Sequence, residues 1–213
     1  MKKDFVCFDM DNTILNSKKT HIIAFQKAFR RNGLKKPNEK RLRSLFGITR
    51  HEIIKTLYPK LSGEKVRGVF DDIHEIMTKD TKRYVKPFNG TLKTLKKLKK
   101  KYKLGLISNS SHDEILVMLR AAKLNKKLFD VLIGNDDVGH PKPAPDEIFK
   151  AEKLMHMEVS YIIGDTTYDI LAGKRACVKT IAVLTGTQPK GLLKRYKPDY
   201  IVKNITKVEK ILL

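Results

Sequence analysis

The sequence predicts an α/β protein: a parallel sheet with helices on both faces, three layers in all, interrupted by one inserted helical unit. Three observations carry that expectation. Strand-like and helix-like segments alternate from residue 87 onward. The run FVCF at residues 5–8 has the length and unbroken apolarity of a strand buried on both faces. Between residues 17 and 84 the patterning is helical only.

The elements follow in order. After strand 5–8, a helix is predicted over 20–31 from Ile22, Ile23, Phe25, Ala28 and Phe29, stopping at Asn32-Gly33. Two more helices are predicted over 50–58 and 63–79. Helix 90–101 then carries leucines at 92, 95 and 98 among lysines, read as a buried stripe on a solvated helix. Strand 104–108, helix 113–122, strand 130–134, helix 146–154, strand 161–165, helix 168–176 and strand 180–184 follow. A short strand at 199–202 precedes a last helix over 204–212. Such alternation builds a parallel sheet. Residues 1–16 and 85–213 are therefore assigned to the core and 17–84 to the insertion. Asn16-Ser17 and Lys86-Pro87 read as the two linkers between them.

Composition sets the bounds. The chain has 213 residues, 41% of them hydrophobic, enough for a sizeable core. No apolar run approaches the ~18 residues of a membrane span. The opening MKK is followed by Asp4 and Asp9, unlike a signal peptide. A cytoplasmic protein is expected. Cys7 and Cys177 sit among apolar residues without a CxxC and are expected to be small buried hydrophobes. Lys and Arg total 45 against 23 Asp and Glu, a net charge of +22. That favours anionic substrates or polyanions. The lysines are dispersed without interleaved aromatic residues, which disfavours nucleic acid as the main partner.

Open parallel sheets bind ligands beyond the carboxyl ends of their strands. Residues at those ends are therefore the candidates. The first strand ends in Asp9, with Asp11 two positions on; Ser108-Asn109 end the next. The loop after strand 130–134 carries Lys142 between prolines, and strand 161–165 ends in Asp165, with Asp169 one turn later. Each has an ordinary explanation as a turn former or helix cap. Their joint placement on one sheet edge does not, because a carboxylate ending a buried strand is costly unless it is paired or metal-bound.

FDMDNT, the Ser108-Asn109 strand end, Lys142-Pro143 and GDTTYD at 164–169 resemble the four motifs of the haloacid dehalogenase superfamily. The chain is most similar to its phosphoglycolate phosphatase-like members, which insert a helical cap after the first motif. The resemblance implies a Rossmann-like core and a phosphatase acting on a small phosphate monoester. It implies Mg²⁺ held by carboxylate oxygens of Asp9 and Asp165 and by the backbone carbonyl of Asp11, with Asp169 either ligating through water or orienting Lys142. Asp9 would be the nucleophile. Asp11 would be the general acid and then base, protonated when substrate binds. Ser108 and Lys142 would hold the phosphoryl oxygens, with Asn109 beside them. Arg43, Thr49 and Arg50, around Gly47, would meet the substrate from the cap. Asn12 stands where the family commonly has Gly. A phosphomutase of the same fold and a basic nucleic-acid-binding protein are the alternatives. A monomer and a homodimer are both compatible with the pattern.

Overall fold

β1 (Asp4–Asp9) is the spine of the sheet in this computed structural model, which describes residues 4–213. Residues 1–3 of the predicted core segment lie outside the described residues. Phe5 and Cys7 pack on one side of β1 with Ile107, Ile133, Ile148 and Ile162. Val6 and Phe8 pack on the other with Leu104, Leu106 and Ile163. A strand sends alternate side chains to opposite faces, so the FVCF run feeds two cores at once.

The chain then runs through β2 (Leu15–Asn16), α1 (Lys18–Arg31), α2 (Glu39–Arg43), α3 (Arg50–Leu57), α4 (Gly63–Glu75) and β3 (Lys86–Pro87). β2 and β3 pair antiparallel and lead into and out of the helical insertion. Next come α5 (Thr91–Lys101), β4 (Tyr102–Ser108), α6 (His112–Ala121), β5 (Val131–Gly134) and α7 (Asp146–Met155). Then follow β6 (Val159–Gly164), α8 (Thr167–Arg175), β7 (Lys179–Val183), α9 (Lys190–Arg195), β8 (Tyr200–Val202) and α10 (Glu209–Leu212).

The six-stranded sheet has the order β5-β4-β1-β6-β7-β8, parallel throughout. Connections run outward from β1 in both directions, so the topological switch point lies at its carboxyl end.

Several expectations need correction. Leu92 is 40% exposed, and the buried face of α5 is Thr91, Thr94, Leu95 and Leu98. That set has the i, i+3, i+4, i+7 spacing of a helix face, with two threonines serving where apolar residues were expected. α4 ends at Glu75 rather than near residue 79 and widens into a π turn at Ile76–Thr81. Threonine hydroxyls compete for backbone acceptors there: Thr78 Oγ1 donates to His74 O at 2.8 Å and Thr81 Oγ1 to Ile76 O at 3.2 Å. The predicted last helix divides into a 3₁₀ turn, Ile205–Lys207, and α10. Cys7 is buried, but Cys177 is exposed, at φ +58° in the left-handed position just past α8. Among the described residues, no helix is long and apolar enough to cross a membrane.

Candidate active site

Three strand ends and one proline-flanked loop converge above the carboxyl end of β1. Asp9 is the last residue of β1 and is paired in register with Ile107, so it sits beside Ser108 at the end of β4. On the other flank Phe8 pairs with Ile163, which brings Asp165, just past β6, alongside.

Lys142 is the hub. Its Nζ donates to Asp9 Oδ1 and Asp169 Oδ1, both at 2.8 Å, and to Ile107 O at 3.3 Å. It is 3% exposed. Burial works against its charge, but Asp169 and Asp9 outweigh burial and push its pKa well above the usual lysine value. Asp169 has two jobs. Its Oδ2 accepts from Thr166 N at 3.0 Å and Thr166 Oγ1 accepts from Asp169 N at 3.3 Å, a capping box that starts α8. Its other oxygen holds Lys142.

Asp9, Asp165 and Asp169 are all buried, with one oxygen from each lying within 4.8 Å of the others. The site is short of positive charge. Burial, with Asp169 and Asp11 nearby, raises Asp9 to about 7 despite Lys142. Burial, followed by Asp9 and Asp169, raises Asp165 well above the carboxylate range. A set of three buried carboxylate oxygens facing one lysine fits a hard divalent cation. Two glycines make room for the Asp169 and Asp165 carboxyl groups. A Cβ on Gly164 would lie 2.2 Å from Asp169 Cγ, and one on Gly186 would lie 1.9 Å from Asp165 Oδ2.

The Asp11 carboxylate turns away from that cluster. Ser17 Oγ donates to its Oδ1 at 2.5 Å, His21 Nε2 lies 3.0 Å from the same oxygen, and Ser110 Oγ donates to Oδ2 at 3.2 Å. Burial alone would raise its pKa, but the His21 charge and these hydrogen bonds bring it down to about 2. These contacts hold Asp11 ionised in the free site, while its expected role as acid calls for the protonated form when substrate binds. Asn12, at φ +60°, makes the tight turn that sends the chain back into β2. Its N–H donates to Leu15 O.

Ser108 and Asn109 reach the site differently. Ser108 Oγ is buried, lines the cavity and accepts from Ser110 N at 3.2 Å. The Asn109 amide also lines the cavity, but Nδ2 is engaged by backbone: it donates to Gly47 O at 2.8 Å and Lys142 O at 2.9 Å. It ties the insertion loop to the lysine loop.

The three residues proposed on the insertion are not brought together. Arg50 lines the cavity. Its Nη2 donates to Glu114 Oε2 at 2.5 Å and its Nη1 to Glu114 Oε1. Thr49 does not line it: its hydroxyl caps α3 in a capping box with Glu52. Arg43 pairs with Glu39 at 2.6 Å and faces a different groove, with Lys18 and Gly186. A sequence that shows only basic and hydroxyl residues near a glycine does not reveal which way each points on a short helix.

His21, Ser17, Ser110 and Glu114 were not singled out from the sequence. One signal was available for two of them. Ser17 and His21 are four residues apart at the start of the helix that follows the double-aspartate motif, so they share a face turned back toward Asp11. The cavity that His21 and Ser110 help to line is about 70 Å³, far below the ≈ 300 Å³ lower end of typical ligand pockets.

Residues 6–183 match the family model for haloacid dehalogenase-like hydrolases. The chain belongs to that family. The pyrophosphatase PpaX from Bacillus mycoides is 27% identical over 215 residues, covering 100% of this chain and 98% of the relative. A structure from Bacteroides fragilis described as haloacid dehalogenase-like hydrolase superposes with a TM-score of 0.89 at 25% identity, covering 97% of this chain and 100% of that one. A structure from Haemophilus somnus, described as a predicted phosphoglycolate phosphatase, superposes with a TM-score of 0.87 at 18% identity over 100% of this chain and 99% of that one. At that identity the likeness carries the fold alone.

Proposed function

We propose that the chain is a Mg²⁺-dependent phosphatase that hydrolyses a small phosphate monoester through a phosphorylated Asp9. The observation that carries this reading is the Lys142 bridge between Asp9 and Asp169, with Asp165 completing a buried carboxylate set one cation short of balance. Such a set suits a transferring phosphoryl group, whose negative charge needs fixed positive partners. The family and the phosphate chemistry in the names of its relatives support it.

Asp9, Asp165 and Asp169 would hold the ion, with the backbone carbonyl of residue 11 beside them. When bound, Mg²⁺ supplies the positive charge that the lysine alone does not. An Asp9 oxygen attacks phosphorus, and the bond from phosphorus to the leaving oxygen breaks. Lys142 and Ser108 hold the phosphoryl oxygens. The leaving oxygen takes the proton shared between Asp11 and His21, which lie 3.0 Å apart, and leaves Asp11 ionised. Water then attacks the phosphorus of the acyl phosphate and gives a proton back to Asp11. The bond to Asp9 breaks and inorganic phosphate leaves. The ionised Asp11 is already in the form the second step needs.

The helical insertion acts as a cap that excludes water from this chemistry. Its Phe25, Phe46, Ile48 and Ile53 form the wall opposite the carboxylates. A panel of phosphate monoesters assayed for released phosphate tests the reading. We expect turnover on at least one small ester. No release from any ester, including p-nitrophenyl phosphate, overturns it.

A further inference from the structure

Every basic side chain that lines the cavity already faces a carboxylate. Lys142 is held by Asp9 and Asp169, and His21 lies against Asp11. The remaining one is Arg50, which enters the cavity from the insertion, on the same element as Ile53 of its apolar wall. Its guanidinium is met along two N–H groups by Glu114, a residue of α6 in the core. Both side chains are buried, Arg50 at 6% exposure and Glu114 at 0%. Glu114 Oε1 also lies 2.9 Å from His74 Nδ1 on α4, so the carboxylate is gripped by two helices of the insertion. Phe70 stacks on the other side of Arg50, its ring centroid 4.8 Å from the guanidinium carbon.

The consequence, among the described residues, is an insertion side of the cavity with an apolar wall and no uncommitted positive charge, the side that a leaving group would face. An anionic leaving group placed there would be desolvated without a partner, which is costly. An uncharged one would meet Phe25, Phe46, Ile48 and Ile53 at no such penalty. A free arginine in the same position would reverse the preference by offering a forked donor to a carboxylate or phosphate.

Resting on the phosphatase reading above, we propose that Glu114 sets the leaving-group specificity of the site. By neutralising Arg50, it selects compact phosphate monoesters with an uncharged leaving group over those whose leaving group is a carboxylate or a phosphate. This separates the chain from what the names of its relatives describe, since pyrophosphate and phosphoglycolate both carry an anionic leaving group.

The test compares kcat/KM for phosphoglycolate, its uncharged amide and pyrophosphate on the full-length protein. The wild type is expected to favour the amide over both anionic substrates by about tenfold or more, the scale of one mismatched pocket group. Glu114→Gln frees Arg50 and is expected to narrow or reverse that ratio by about the same factor. The double variant Arg50→Met with Glu114→Gln removes both charges and is expected to restore the wild-type preference. Ratios within one preparation do not depend on the fraction folded, so a destabilised variant still reports. A wild type that favours phosphoglycolate or pyrophosphate overturns the inference alone. So does a Glu114→Gln ratio equal to the wild type's. No release from any ester overturns the phosphatase reading and this inference with it.

Discussion

Lys142 Nζ lies 2.8 Å from an oxygen of Asp9, at the end of β1, and 2.8 Å from an oxygen of Asp169, in the first turn of α8. That bridge is the electrostatic centre of the site. Replacing Lys142 with Met leaves three buried acids facing one another without compensation. Phosphate release is expected to fall by about 10²–10³, the range for one lost transition-state donor. Lys142→Arg is expected not to rescue it, because a planar fork does not fit a point-charge position buried this deeply. Initial rates, with circular dichroism to confirm folding, check both.

Metal dependence has a readout apart from turnover. A cation that binds only the folded state raises Tm in proportion to the logarithm of its concentration over Kd. Adding Mg²⁺ to chelator-treated protein is expected to raise Tm and restore phosphate release. Asp165→Asn is expected to lose most of the Tm increment. Equal melting of the wild type with and without Mg²⁺ would contradict the carboxylate cluster as a metal site.

Acid stability follows from Glu114. Burial opposes its charge, but Arg50 and His74 lower its pKa below the usual glutamate value. A lowered folded pKa means the contribution is complete above the unfolded value, near 4.5, and is lost as pH falls below it. His74 runs the other way. The Glu114 contact raises its pKa above 6.5, so its share is complete below that value and fades as pH climbs past it. The two together place the strongest grip between those values. Denaturant melts of the wild type are expected to lose more stability between pH 5 and 3 than the Arg50→Met, Glu114→Gln double variant. Removing Glu114 alone at neutral pH should cost about 3–5 kcal/mol, the penalty for stranding one charge of a buried pair.

Gly47 brings the insertion's backbone against the core, where its carbonyl accepts from Asn109 Nδ2 at 2.8 Å. Its φ is +117°, and a Cβ there would sit 2.7 Å from Tyr168 Cδ2 and 3.0 Å from Thr166 Cγ2. Gly47→Ala therefore pays backbone strain of about 1–3 kcal/mol and also pushes on the start of α8, which carries Asp169. We expect kcat/KM to drop more than global stability does, measured as the ratio of the two losses against a distant control such as Gly63→Ala. A Cβ on Gly63 meets nothing within 4 Å.

The parts of the site carried by strand ends were legible in the sequence. A buried parallel strand has a period, a length and a fixed carboxyl end, so Asp9, Ser108 and Asp165 fall on one edge once the alternation is recognised. Lys142 was found by its place in that order. Contacts that depend on how the helical insertion folds back were not legible. Nothing local to Arg50 announces a partner 64 positions away on α6, and Glu114 reads as an ordinary first-turn acid. Asp11 shows the same limit: its ionised state is set by Ser17, His21 and Ser110, and only the first two are near it in sequence. Short elements such as α2 and α9 escaped notice because five or six residues carry too little periodicity.

The most direct measurement is phosphate release by Asp9→Asn beside the wild type, across the ester panel with Mg²⁺ present and folding verified by circular dichroism. The wild type is expected to turn over at least one small ester, and the variant to release no phosphate above the uncatalysed background while remaining folded. An Asp9→Asn protein that releases phosphate at the wild-type rate would contradict Asp9 as the attacking group.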